Sequence, residues 1–320
     1  MANIYEEIGR NRRNTWFIII AVVSFFLFIG AGLDYFYGAG FKAPFFTIIA
    51  LLVGTMGAGA GYLYGDKMIL SATRARALNM NDPGEKQWYN VIGEVSIAAG
   101  APLPEAYIID DPDPNAFATG RDPRHASIAV TKGLVDALNR DELQAVAAHE
   151  MSHVKNYDVR LMLMVAALVG AIALMADWAG RSLFYARRRD SGRSGDGSDK
   201  GGGVGMLILL AIWLGSVVLA PILSRMMAMF VSRRREYLAD ASGAELTRNP
   251  LALASALEKI TARAGPTRYI NNQGTAHLCI ADPKGSLINS KEGWWADLFA
   301  THPPIDKRIE ALRRMAYVRP

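Results

Sequence analysis

The chain has 320 residues, 51 % apolar and 20 % charged, with a formal net charge of +5. The apolar residues fall in long uncharged blocks, which excludes a disordered chain and argues against an ordinary water-soluble enzyme. Cys279 is the lone cysteine, so neither an internal disulfide nor a cysteine-built zinc cage is possible, and a reducing compartment suits it. A basic excess beside apolar blocks orients a membrane protein more often than it binds nucleic acid.

Taken in chain order, the first apolar block runs 20 residues between Arg13 and Asp34, and the second 23 residues between Lys42 and Asp66. Each is long enough to cross about 30 Å of hydrocarbon as a helix. Arg10, Arg12 and Arg13 precede the first block and Lys67, Arg74 and Arg76 follow the second. The positive-inside rule then puts the N-terminus and the residues after Asp66 in the cytoplasm. Glycines at 54, 57, 59, 61 and 65 do not fit a phosphate loop, which needs Gly-Lys-Ser/Thr after a strand. Gly57-x-x-x-Gly61 and Gly61-x-x-x-Gly65 instead suit close helix packing in lipid.

Residues 66–158 read as the first part of a catalytic domain. Gly84 to Ala99 carries Trp88, Val91, Ile92, Val95 and Ala99 on one helical face. Ala106 to Ile109 reads as a short strand, Asp110 to Pro114 as a turn cluster and Ser127 to Thr131 as a second strand. Ile128 to Thr131 offers either an edge for an extended peptide or a plain core strand. Asn139, with Glu142 three residues on, forms a capping box at the head of a helix. That helix buries Leu143, Val146, Ala147, Met151 and Val154.

The third and fourth apolar blocks, within 159–224, form a second membrane hairpin around a flexible, Arg-rich and Gly-rich loop at 185–203. Its cations run against the positive-inside rule, so either the loop is exported regardless or the hairpin does not fully cross. Residues 225–320 form the second part of the catalytic domain. Ser224 to Leu246, Pro250 to Ala264 and Pro303 to Met315 read as helices. The 265–301 stretch has no sustained period and suits a lid. The fold class is thus mainly α with a small β-sheet, carrying about four apolar helices, of which residues 1–65 supply the first hairpin.

His149-Glu150-Met151-Ser152-His153 lies on the capped helix. Residues four apart share a helix face, so two imidazoles converge on one ion while Glu150, one step round, reaches a water without binding the ion. With five histidines in the chain, chance supplies this pattern roughly 0.003 times. Zinc needs a third ligand, and no His-x-x-Gly-x-x-His continuation exists. Glu236 is the best candidate, with Asp240 one turn on and positioned to hydrogen-bond the outer nitrogen of a ligating histidine. The bland alternative pairs both acids with Arg233 to Arg235. Chain topology favours the ligand reading, because a membrane hairpin returns the Glu236 helix to the side on which the His helix ended.

These motifs, with Asn115-Ala116-Phe117-Ala118-Thr119-Gly120, Arg235-Glu236-Tyr237-Leu238-Ala239-Asp240 and Thr301-His302-Pro303-Pro304, resemble the HtpX-type membrane zinc metalloproteases. These are gluzincins related to the CAAX prenyl proteases, and the likeness covers nearly the whole chain. It implies one Zn²⁺ per chain held by His149, His153 and Glu236, with Glu150 as general base. It also implies His302 as a transition-state stabiliser, Arg308 holding substrate, and a cleft lined by Asn115, Ala116 and Phe117. It further implies an active site facing the cytoplasm of the bacterial inner membrane and proteolysis of damaged or misfolded membrane proteins. The alternatives are a prenyl-protein protease and a non-catalytic zinc-stabilised scaffold; the first wants a larger membrane chamber, and the second has no use for Glu150.

Overall fold

The computed structural model describes residues 4–37, 43–164, 177, 181, 233–263, 279–280 and 303–317. Helices α1 (Ile4–Tyr37) and α2 (Phe45–Ala72) form an antiparallel hairpin. The Asp34 carboxylate accepts from Phe46 N at 2.9 Å, Thr47 N at 2.8 Å and Thr47 Oγ1 at 2.6 Å, satisfying the open end of α2. Among the described residues, α2 is the one helix long and apolar enough to cross a membrane. Most of the third apolar block, all of the fourth, the Arg-rich loop, Trp294 and Trp295 lie outside the described residues, as does nearly all of the 265–301 stretch.

The glycine seam of α2 differs from the expected one. Gly54, Gly61 and Gly65 are buried, followed by Ile69 and Leu70, whereas among the described residues nothing stands within 4 Å of a Cβ at Gly57 or Gly59. A Cβ at Gly54 would touch Phe26 at 3.0 Å, and one at Gly65 would stand 2.7 Å from Leu163. The contact row therefore steps seven and then four residues. Gly61 and Gly65 of the expected row belong to it, and Gly54 joins them seven residues before Gly61.

Beyond α2 the chain enters strand β1 (Arg76–Ala77), too short to betray itself by alternation. Arg76 of β1 joins the elements that follow: it meets Glu85 at 2.8 Å and Asp110 at 2.8 Å. Helix α3 (Pro83–Ala99) starts at an Asp82 cap with Pro83 in its first turn and stops at left-handed Gly100. Its expected face, Trp88 to Ala99, is buried.

Strands β2 (Glu105–Ile109), β3 (Ala116–Asp122) and β4 (His125–Thr131) complete a mixed sheet in the order β1-β2-β4-β3, with only the β2–β4 pair parallel. β4 is paired on both sides, so Ile128 to Thr131 is a core strand and the edge belongs to β3. Strand β3 itself escaped sequence reading, because Ala-Phe-Ala-Thr-Gly-Arg-Asp has neither alternation nor a β-branched run. One sheet face, with Ile128 and Val130, joins the main core of α3 and the helices below; the other, with Ile109, Phe117 and Ala129, meets Ile69 and Leu70 at the end of α2.

Helix α4 (Lys132–Ala137) leads to α5 (Arg140–Lys155). After the second polar stretch begins come α6 (Arg233–Thr247), α7 (Pro250–Arg263) and α8 (Ile305–Tyr317). The described architecture is mainly helical with one small mixed sheet. Helices α3, α6, α7 and the strand β3 all pack on α5, which places that helix at the centre.

Candidate metal centre

Helix α5 is locked at its start before its chemistry begins. Asn139 Oδ1 accepts from Glu142 N at 3.0 Å, and Glu142 Oε2 accepts from Asn139 N at 2.8 Å, closing the expected capping box. Ser255 and Lys259 of α7 donate to the same Glu142, each at 2.7 Å. From Leu143 on, Leu143, Val146, Ala147, Met151 and Val154 fill the core, and the flank beside Val146 presents His149 and His153.

Helix α6 crosses α5 at a glycine. A Cβ on Gly243 would sit 3.0 Å from His149 N and 3.3 Å from Ala148 C, so the two backbones are as close as side-chain-free contact allows. This crossing brings Glu236 to the histidine pair. His149 Nε2 and His153 Nε2 lie 3.3 Å apart. Glu236 Oε2 is 3.7 Å from His149 Nε2, and Oε1 is 3.6 Å from His153 Nε2. Ligand bonds of about 2.0–2.1 Å in a tetrahedral site put neighbouring ligand atoms about 3.3 Å apart, so this donor set fits a small divalent ion. Among the described residues, these three are the group of His, Cys, Asp or Glu side chains that could hold a metal.

Each imidazole is steered from its far nitrogen. Asp240 Oδ1 stands 3.0 Å from His149 Nδ1, and Asp158 Oδ2 stands 3.0 Å from His153 Nδ1. A proton held at Nδ1 leaves the Nε2 lone pair facing the shared point. Asp240 is in turn gripped by Arg308, with Nε on Oδ2 at 2.8 Å and Nη2 on Oδ1 at 2.7 Å. Arg308 is fully buried, donates from Nη1 to Ile280 O at 3.1 Å, and lies 3.5 Å from Glu236 Oε2.

The charges follow from this packing. Burial pulls the Asp240 carboxyl upward, but the Arg308 guanidinium outweighs it and holds the group down at about 2. Burial likewise lowers His149, so it is neutral. For His153 burial also acts downward, but Asp158 and Glu236 override it and raise the group to about 9. Glu150, buried beside the cluster, is raised to about 7 by desolvation, although the Ala118 backbone N–H donates to it.

The Asn115 to Gly120 segment lies along the edge strand. Asn115 N donates to Thr131 Oγ1 at 2.8 Å, and Ala116 N to the Asn115 side-chain oxygen at 3.0 Å. The Phe117 side chain packs into the second hydrophobic cluster with Ile69 and Leu70. What the outer edge offers is therefore backbone: Ala118 N–H points to Glu150, and Ala116 O accepts from Ile280 N at 3.0 Å. His125 sits at the far end of β4, with Nδ1 2.9 Å from Asp122 Oδ1. His277 and His302 lie outside the described residues.

Residues 85–316, which include every ligand candidate, match peptidase family M48. The chain belongs to peptidase family M48. Membership makes it a hydrolase of peptide bonds, and the His149–His153–Glu236 triangle is a group that could hold the metal of a metallopeptidase. Among similar proteins, a protease HtpX homologue of Dictyoglomus turgidum is 41 % identical over 314 residues, covering 97 % of this chain and 94 % of the relative. One from Streptococcus gordonii is 36 % identical over 313 residues, covering 98 % and 100 %. One from Tropheryma whipplei is 39 % identical over 312 residues, covering 98 % of both. The crystal structure of S. mikatae Ste24p is similar at TM-score 0.49 and 16 % identity, over 96 % of this chain and 67 % of that one.

Sequence reasoning missed part of this M48 centre. Asp158 lies five residues beyond His153, past the end of α5, where no helical periodicity points to it. The salt link of Arg308 to Asp240 crosses 68 positions and leaves no local trace.

Proposed function

We propose that this M48 peptidase is a zinc-dependent endopeptidase of the bacterial inner membrane that cleaves misfolded or damaged membrane proteins on the cytoplasmic side. The observation that carries the reading is the triangle of His149, His153 and Glu236 with Glu150 beside it. His149, His153 and Glu236 would hold Zn²⁺. When bound, zinc supplies Lewis-acid polarisation of a water and of the scissile carbonyl.

The chain's own residues do the rest. Glu150 takes the proton of the attacking water and hands it to the departing amine. In the metal-free site burial raises this carboxyl, which keeps it ready to hold a proton. Asp240 and Asp158 keep the two imidazoles in the ligating tautomer. Arg308 fixes Asp240 and offsets the negative charge around Glu236. His302 then stabilises the transition state, and Arg308 helps hold the substrate.

An extended substrate lies along the β3 edge of the cleft at Asn115, Ala116 and Phe117. Main-chain pairing is tolerant of sequence, as removal of damaged proteins requires. The hairpin of residues 1–65 anchors the chain, the blocks within 159–224 add a second hairpin, and residues 66–158 and 225–320 together build the catalytic unit. The cation-rich flanks of the first hairpin support the cytoplasmic orientation.

The test is purification in detergent, followed by metal analysis and cleavage of casein and of an unfolded membrane protein. We expect one zinc per chain, cleavage of both substrates, and loss of cleavage with chelator that returns on adding zinc. Zinc-loaded protein that cleaves neither, or cleavage that ignores the chelator, overturns the reading.

A further inference from the structure

Asn11 is out of place in a membrane anchor. It lies on α1 just before the first apolar block, and only 1 % of its surface is exposed. Both of its amide donor contacts go to the turn that follows the His149–His153 helix: Nδ2 donates to Asn156 O at 3.0 Å and to Asp158 Oδ1 at 2.6 Å. These partners are 145 and 147 positions away in sequence. The other oxygen of Asp158 is the one that meets His153 Nδ1 at 3.0 Å. Asn11 thus holds one end of a carboxylate whose other end holds a metal-ligating imidazole.

The turn needs holding. Tyr157, between Asn156 and Asp158, has φ of +61°, a left-handed conformation uncommon for a residue with a Cβ. Such a backbone persists only where its surroundings over-determine it. Two guanidinium groups stack on the Tyr157 ring, Arg12 at 4.7 Å from α1 and Arg160 at 4.7 Å from the chain that follows. Adjacent residues of α1, Asn11 and Arg12, therefore clamp this turn at its backbone, its ring and its carboxylate.

Asn11 also bridges an ion pair at this point. Arg235, the residue before Glu236, has its Nη1 3.5 Å from Asn11 Oδ1 and 3.5 Å from Asp158 Oδ1. The neutral amide accepts on the arginine side and donates on the carboxylate side. Without it, that Asp158 oxygen keeps only Arg235, and the carboxylate loses the short bond that fixes its other oxygen toward His153.

We propose that Asn11 is a positioning residue of the metal centre: it holds Asp158 on His153, so that the N-terminal helix is a structural part of the zinc site rather than only a membrane anchor. This rests on the metallopeptidase reading above. Partners in the outer layer of a metal site typically change metal affinity by about 10- to 100-fold when removed, and Asn11 reaches the ligand through one such partner.

The experiment compares zinc release to excess chelator for full-length, detergent-purified wild type, Asn11→Leu, Asp158→Asn and the double variant, with melting of the metal-free forms measured alongside. We expect Asn11→Leu to release zinc about 10-fold faster or more, from a protein that still melts cooperatively without metal, and to add nothing in the Asp158→Asn background. Release at the wild-type rate, or a double variant whose losses multiply, overturns the inference while leaving the metalloprotease reading intact. Wild-type protein that takes up no zinc overturns that reading instead. If Asn11→Leu fails to fold, Asn11→Ser is carried through the same cycle and judged by the same outcomes.

Discussion

Arg308 grips Asp240 with two hydrogen bonds, of 2.8 and 2.7 Å, and the Asp240 oxygen that takes the shorter one stands 3.0 Å from His149 Nδ1. A residue of the last described helix is thereby wired, through one carboxylate, to a metal ligand on α5. The pair is buried on both sides, and the fork geometry of a guanidinium suits a carboxylate better than an ammonium does.

Removing the arginine leaves Asp240 charged and buried without its counter-ion. Breaking one partner of a buried pair costs about 3–5 kcal/mol. Arg308→Ala is expected to lower the melting temperature of the metal-free protein substantially, while Arg308→Lys recovers only part of it. A variant that melts with the wild type would show that the pair contributes nothing to stability, and would leave Arg308 only its role toward substrate.

Glu150 separates catalysis from metal binding. Glu150→Gln keeps the volume of the side chain but cannot accept the proton. The expected outcome is full zinc content with cleavage reduced by about 10²–10⁴-fold or more. Undiminished cleavage by a zinc-loaded variant would remove Glu150 from the base role. Glu236→Ala serves as the contrast, since it should lose stoichiometric zinc.

Gly243 sets how closely Glu236 approaches the imidazoles. A Cβ there meets His149 N at 3.0 Å, so alanine must push α6 outward by a few tenths of an ångström, and valine by more. Over-packing of this kind typically costs about 1–3 kcal/mol. Gly243→Val is expected to lower both the melting temperature and the zinc content, with Gly243→Ala between it and the wild type. Metal analysis of the three proteins checks the order.

These residues also show how much the sequence disclosed. The capping box at Asn139, the buried face of α5 and the His149–Glu150–His153 spacing were legible because each is set within a turn or two of one helix. Glu236 was legible because a hairpin must bring its helix back to the side the chain left. Gly54 was missed from the glycine seam because counting fours passes over a residue seven positions before Gly61 on a helix of 3.6 residues per turn. Strand β3 was hidden because its residues carry little strand preference and owe their form to pairing with β4. Asp158, Asn11 and the Arg308 link were invisible because they join distant positions, and only folding sets those distances.

The metal-free site carries a proton that zinc must displace. His153 sits at about 9, above the ordinary histidine value of 6.5, because Asp158 and Glu236 outweigh its burial. A ligating imidazole must be neutral. At pH 7 His153 is therefore protonated before metal arrives, whereas His149, lowered by burial, is already neutral and adds no slope. Apparent zinc affinity is expected to rise about tenfold per pH unit below 9 and to flatten above it, with about one proton released per zinc at pH 7. The sign for stability runs the other way: the protonated His153 stabilises the metal-free fold fully below about 6.5, and that contribution is lost as pH rises through about 9. Calorimetric titration with zinc in buffers of different ionisation enthalpy reads the proton count directly. A count of zero at pH 7 would mean that His153 is neutral in the metal-free protein, and that its contact with Asp158 does not hold a charged imidazole.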